Sequence, residues 1–235
     1  MVSIKKHNIY LDTTDLLKNP KDDYPILYKH LINNEPLKVL DLGCNIPLAL
    51  FLLYHSFECD ILKGVDEKDQ MNCVNYFLNF KKRVDPLVMH KYSNANCFFD
   101  IYLRMIEVSD FEKPKITERD EFDKIFCNSF VQEDIENHLN GETEKYDLII
   151  ASDVLHVFTK NKVQTVLPKI KSHIRENGLI LIRFHDENNS DYIDYESFKK
   201  LLLQEFNSGD LFEYSKDSKW QHSIFCNISN LIDSQ

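Results

Sequence analysis

Apolar positions in this chain fall into short continuous runs, separated by segments with helical spacing. Residues 24–33 (YPILYKHLIN) have the helical spacing and stop before Asn34 and Pro36. Residues 38–42 (KVLDL) form a strand-like run, 48–57 (LALFLLYHSF) an almost wholly apolar helix, and 61–66 (ILKGVD) the next strand. The order strand, tight turn, helix, strand predicts a right-handed crossover in a parallel sheet covered on both faces. A helix over 70–80 would align Met71, Val74, Phe77 and Leu78 on one face, and a weaker strand is predicted at 124–127 (KIFC). The connection between them is long for a compact domain, and residues 97–106 (CFFDIYLRMI) read as an amphipathic helix within it. Phe98, Phe99, Tyr102 and Met105 must pack on something, either as a surface insertion or as a cap over a substrate pocket.

The second half repeats the alternation. Residues 146–151 (YDLIIA) are the strongest strand, followed by a helix over 162–174 that Asn177-Gly178 is expected to close. A buried strand at 179–182 and a helix at 195–206 follow. The last two strands, 211–214 and 222–228, have only a short polar loop between them, which predicts an antiparallel hairpin at the sheet edge. The expectation is one α/β domain over 1–235, with a helical segment at about 12–35 and a helical insertion at about 84–121.

Composition narrows the function classes. With 43% apolar residues in 235, the chain can bury one large core. Nothing in it approaches the roughly 18 apolar residues of a membrane span, and the N-terminus turns polar too early for a secretory signal. The net charge of −10 disfavours a nucleic-acid partner, and Lys81-Lys82-Arg83 reads as a solvated helix end. None of the six cysteines forms a C-x-x-C pair. They suit free thiols in a reducing, cytoplasmic setting, and no metal site is expected.

Candidate chemistry gathers at the carboxyl ends of the strands, where open parallel sheets hold ligands. In DLGCNIP, Gly43 permits a tight turn, Asn45 can take the left-handed conformation, and Pro47 fits as the first helical residue. A dinucleotide pyrophosphate would need further glycines, and Asp41 would repel it while attracting a cation. Asp66 lies 23 residues beyond Gly43 and can accept both hydroxyls of a ribose; Glu67 could replace it or share the work.

With the turn, the spaced acid, the run YDLIIASDVLHVF and the terminal hairpin in place, the chain resembles class I S-adenosylmethionine-dependent methyltransferases. The resemblance covers roughly residues 37 to 228, poorly over 69–121, and the turn departs from the family's glycines at Asn45 and Pro47. It implies a Rossmann-like, mostly parallel seven-stranded sheet with a C-terminal antiparallel hairpin, helices on both faces, and S-adenosylmethionine as cofactor. By the same resemblance, Gly43 and the Cys44 backbone line the methionine portion, Asp41 orients its ammonium, and Asp66 holds the ribose. Asn128 or Ser129 would bind the adenine amine and Phe130 its face, while Ser152 and Asp153 border the cofactor's amino acid and the acceptor.

A sulfonium methyl is already activated, so alignment supplies much of the rate. His156 and His185, both after strands at the ligand edge, suit removal of an acceptor proton, although His156 also reads as a packing residue. Asp153 suits contact with the acceptor better than proton abstraction. The expected acceptor is a small molecule, with a homodimer allowed. Competing readings are a protein side chain as acceptor, an aminopropyl transferase, an NAD(P)-dependent dehydrogenase and a non-catalytic scaffold.

Overall fold

The computed structural model describes residues 3–7, 31–84, 92, 94–108, 113–184, 191–206, 210–215 and 222–227, with the first and the last two segments described as backbone. Eight strands form one sheet: β1 (Ser3–His7), β2 (Leu37–Leu42), β3 (Cys59–Asp66), β4 (Phe130–Gln132), β5 (Tyr146–Ser152), β6 (Ile174–Phe184), β7 (Asp210–Ser215) and β8 (His222–Asn227). Their order is β1-β7-β8-β6-β5-β2-β3-β4. All neighbours are parallel except at β8, which runs antiparallel to both β6 and β7. This is the expected Rossmann-like α/β sheet with its reversed hairpin. β1 at the far edge adds an eighth strand that the hydrophobic pattern did not reveal.

Along each central strand, alternate side chains enter different clusters, as strand geometry requires. Val39, Leu148, Ile150 and Leu181 join one cluster with α1 (Leu48–Ser56) and α2 (Gln70–Val84). Leu40, Ile149, Ala151 and Ile182 join the other, with α6 (Lys160–Ser172) and α7 (Tyr195–Glu205). Between these helices the chain forms α3 (Phe98–Val108), the short α4 (Arg119–Phe122) and α5 (Ile135–Gly141). Because β2 leads outward to β3 and β4, whereas β5 and β6 lie on its other side, the crossovers diverge between the ends of β2 and β5. That divergence opens the ligand crevice of such sheets.

The described part of the long connection is built into the core. Phe98, Tyr102 and Met105 of α3 are buried in the α1 cluster. The Phe51 ring lies 5.6 Å from Tyr102, 5.5 Å from Phe122 and 4.8 Å from Phe126, all edge-on, a geometry that adds to their burial. Lys115 N–H donates to His55 Nε2 (3.1 Å) and Ile116 N–H to the Tyr102 hydroxyl (3.2 Å), which ties the end of the connection to α1 and α3.

Three local expectations are corrected. Residues 124–127 are not a strand: α4 continues into a wide helical turn, Asp123–Cys127, in which Asn128 N–H bonds the Asp123 carbonyl, and the strand comes later, at Phe130. Phe122 and Phe126, four apart, both feed the aromatic cluster, so helical spacing wins over a three-residue apolar run. Asn177-Gly178 does not cap α6, which ends at Ser172 with His173 as its cap. Gly178 sits in a bulge of β6, where a Cβ would meet the Ile174 side chain at 2.5 Å and the Tyr146 carbonyl oxygen at 2.9 Å. Pro47 precedes α1 instead of opening it: with φ −75° and ψ 55° it centres a tight turn closed by Leu48 N–H on the Ile46 carbonyl (2.7 Å). Of the predicted helix at 24–33, residues 31–33 are helical; the remainder, with Tyr24 and Tyr28, lies outside the described residues.

Candidate functional site

The β2 strand ends at Leu42 and hands the chain to a turn shaped by two left-handed residues. Gly43 has φ +66° and Asn45 φ +49°, the conformation expected of an asparagine replacing a glycine. Gly43 N–H and Cys44 N–H both donate to the Val65 carbonyl (2.7 and 3.2 Å), stitching the turn to β3. The Asp66 carboxylate completes the work: Oδ2 accepts Asn45 N–H at 2.9 Å and Oδ1 accepts Lys68 N–H at 3.0 Å. Lys68 Nζ stands 3.8 Å from the same carboxylate. Asp66 therefore anchors the turn and its own loop, and each of its oxygens keeps a second lone pair for a ligand. Glu67 beside it is exposed.

Asp41 is the unusual group. It is 4% exposed, and no hydrogen-bond donor reaches its carboxylate among the described residues. Burial first, and the Asp66 charge second, hold its carboxyl well above the ordinary carboxylate range. The same two carboxylates, after burial, raise the Cys44 thiol, and burial with Asp66 pushes Cys73 up to about 12. Neither thiol is poised as a nucleophile. Gly64 leaves room for Cys44, since a Cβ there would lie 2.9 Å from its sulfur. The Asn45 side-chain oxygen is a further buried acceptor with no partner in the described residues.

Across the crevice, β5 is followed by a third left-handed residue, Asp153, with φ +56°. Its carboxylate is gripped by Arg183 through Nε–Oδ1 at 2.8 Å and Nη2–Oδ2 at 2.6 Å. Asp153 is thus an ion-pair partner of Arg183. Val154 follows and lies on Gly43: a Cβ at that glycine would be 2.6 Å from Val154 Cγ2. The glycine is needed for this close approach, where bare backbone open to a ligand was expected. Ser152 is half-buried at the end of β5. His156 is 7% exposed in the turn Leu155–Val157, edge-on to Phe184 at 6.1 Å. His185, Asp186 and Glu187 lie outside the described residues.

The adenine-side residues are also corrected. Asn128 and Ser129 precede β4, and Ser129 Oγ donates back to the Ile125 carbonyl (2.5 Å). They therefore sit at the wrong end of that strand to meet Asp66. Phe130 packs edge-on against Phe98, 5.3 Å between centroids. Gln132, the last residue of β4, pairs with Asp66, and Glu133 N–H donates to the Asp66 carbonyl at 2.9 Å. The sequence reading missed Glu133 because it placed the strand too early. Asp134 is the N-cap of α5 and pairs with Lys162 at 2.9 Å, so its charge is already taken.

The described residues hold no group of three or more metal-ligand side chains, and none of their helices is long and apolar enough to cross a membrane. No protein-family model matches the chain. No curated protein matches it either. Among solved structures, it is similar to the magnesium protoporphyrin IX methyltransferase of Synechocystis PCC 6803 with bound S-adenosylmethionine, at 13% identity, 95% of this chain, 87% of that chain and a TM-score of 0.49. The PH0226 protein of Pyrococcus horikoshii OT3 gives 13% identity, 94% and 95% coverage and a TM-score of 0.49. A putative O-methyltransferase of Nostoc punctiforme PCC 73102 gives 15%, 92%, 60% and 0.47. It is the strand order, with its single reversed strand, that makes the chain a Rossmann-like α/β protein.

Proposed function

We propose that the chain is an S-adenosylmethionine-dependent methyltransferase acting on a small-molecule acceptor, with the cofactor held between the ends of β2, β3 and β5. The observation that carries this reading is Asp41: a buried carboxyl group that receives no donor from the described residues, beside Asp66, at the mouth of a left-handed turn. The Asp66 charge repels a pyrophosphate, which speaks against a dinucleotide, and the raised Asp41 carboxyl would ionise only beside a positive charge, which favours a cationic ligand with N–H or O–H donors. The residues fit the cofactor on this ground. Asp41 would hold its ammonium, Asp66 its ribose hydroxyls through the unused lone pairs, and the orphaned Asn45 oxygen one further donor. Gly43, Cys44 and Ser152 would line the site, and Glu133 takes over the adenine-side role first given to Asn128 or Ser129, with Glu67 at the rim.

When bound, the cofactor supplies an activated sulfonium methyl. The chain's own residues align it, exclude water and receive the acceptor's proton. His156 is buried against Phe184 and suits shaping the turn, so we assign proton removal to His185. Within the segment at about 84–121, α3, packed on α1, then acts as a fixed wall of the site. A protein side chain as acceptor is the alternative within the same chemistry. The chain would work in the cytoplasm, where five unbridged cysteines among the described residues are at home, as a monomer or a homodimer.

Val154 lying on Gly43 favours one second reading, a scaffold that binds the cofactor without transfer. Calorimetric titration with S-adenosylmethionine and S-adenosylhomocysteine tests the first step, and transfer of a labelled methyl to a metabolite pool tests the second. Absence of binding by both ligands ends the enzyme proposal; binding without transfer supports the scaffold.

A further inference from the structure

The Arg183–Asp153 pair does more than neutralise a charge. Its fork engages both carboxylate oxygens, at 2.8 and 2.6 Å, and the Asp153 N–H donates to the Arg183 carbonyl at 3.0 Å. Side chain and backbone of one residue on β6 therefore grip side chain and backbone of the residue that leaves β5. The gripped residue is in the left-handed region, φ +56°, which an aspartate enters at more cost than glycine. The next residue is Val154, whose methyl groups meet the Gly43 turn. A continuous mechanical chain thus runs from Arg183 through Asp153 and Val154 to the turn that Asp66 anchors. Arg183 itself is only 14% exposed, and a planar five-donor fork cannot be reproduced by a point charge.

We propose that Arg183 is a positioning residue for the ligand site: it holds Asp153 left-handed so that Val154 closes against Gly43 and forms the wall between the β2 turn and the acceptor side. This rests on the methyltransferase reading only for the identity of the ligand. It also bears on the acceptor. A guanidinium already satisfies the Asp153 carboxylate, so this residue favours a neutral or anionic acceptor over a polyamine.

The test uses glycine's freedom at positive φ. Arg183→Met removes the fork; Asp153→Gly supplies the left-handed turn without it. Two readouts are taken on the full chain: calorimetric affinity for S-adenosylhomocysteine, and amide hydrogen exchange at residues 43–45 compared with α6. Arg183→Met is expected to weaken binding about tenfold and speed exchange in the turn while α6 keeps its protection. The double variant Arg183→Met/Asp153→Gly should recover both, and Arg183→Lys should recover neither in full. Wild-type affinity and turn exchange in Arg183→Met would overturn the proposal, as would a folded double variant no better than the single one. If Arg183→Met fails to fold, Arg183→Lys against the double variant gives the same decision. If the wild-type chain binds no S-adenosylhomocysteine, the functional reading fails by itself, and the exchange readout still decides the role of Arg183.

Discussion

Replacing Asp41 by asparagine should make the protein more stable and a poorer binder, and the stability gain should grow with pH. In the folded chain this carboxyl is 4% exposed, has no donor among the described residues and faces the Asp66 charge, so burial and then that charge raise its pKa. The unfolded chain releases the proton near the ordinary aspartate value of about 3.9. Below that value both states carry the proton, and the group contributes nothing to the difference. Above it the unfolded state binds fewer protons than the folded one, so stability falls by about 1.4 kcal/mol per pH unit until the raised folded value is passed. Asparagine has no proton to lose, and its amide can donate to Asp66. Urea unfolding of both proteins at pH 4, 5, 6 and 7 reads this directly. With an m-value of about 2 kcal/mol/M, the gap between the midpoints should widen by about 0.7 M per unit above pH 4 until the raised folded value is passed. Affinity for S-adenosylmethionine should fall at least about tenfold, since 1.4 kcal/mol of lost charge attraction is enough for that. A gap that stays flat with pH would mean that Asp41 has a donor after all. A less stable variant with unchanged affinity would remove Asp41 from the site.

Asp66→Ala withdraws an acceptor from the Asn45 and Lys68 amides, and hydrogen bonds to a charged group are worth roughly 1.5–3 kcal/mol each. A loss of a few kcal/mol in denaturant unfolding, and a cofactor affinity down at least roughly tenfold by calorimetry, are the expected outcomes; an unaltered affinity would dissociate Asp66 from the ligand. Gly43→Ala combines a left-handed penalty of roughly 1–2 kcal/mol with overpacking of roughly 1–3 kcal/mol against Val154, 2.6 Å from the new Cβ. Adding Val154→Ala should relieve the second share and leave the first, which thermal unfolding of the single and double variants would separate.

What could be read from the sequence was what depends on local pattern. The buried runs at β2, β3, β5 and β6 are long enough to fix a strand, and the short loop between β7 and β8 forces an antiparallel return. The failures share a cause: tertiary contacts decided between local options of similar weight. KIFC could be strand or helix, and Phe51 settled it by drawing Phe122 and Phe126 to the same side. That one misplacement put Asn128 and Ser129, instead of Glu133, at the end of the strand beside Asp66. Gly178 carries the signature of a helix cap, but the close pass of the Tyr146 carbonyl is invisible without the pairing of β5 and β6. β1 pairs with β7, at the opposite end of the chain, and no local pattern announces such a contact.

The site shows how a turn with one glycine can take two left-handed residues. Asn45 accepts the left-handed conformation, and its amide is then fixed by Asp66, a side chain in place of a close backbone contact. Pro47 spends no amide of its own on the tight turn before α1. The cost of this solution falls on Asp66, which must serve the fold before it serves a ligand. A ribose would share its oxygens with two backbone amides that already compete for the same charge. On this argument the chain should bind a nucleoside cofactor more weakly than a turn built from glycines, and its affinity should depend more heavily on Asp41, whose carboxylate has no competing donor among the described residues.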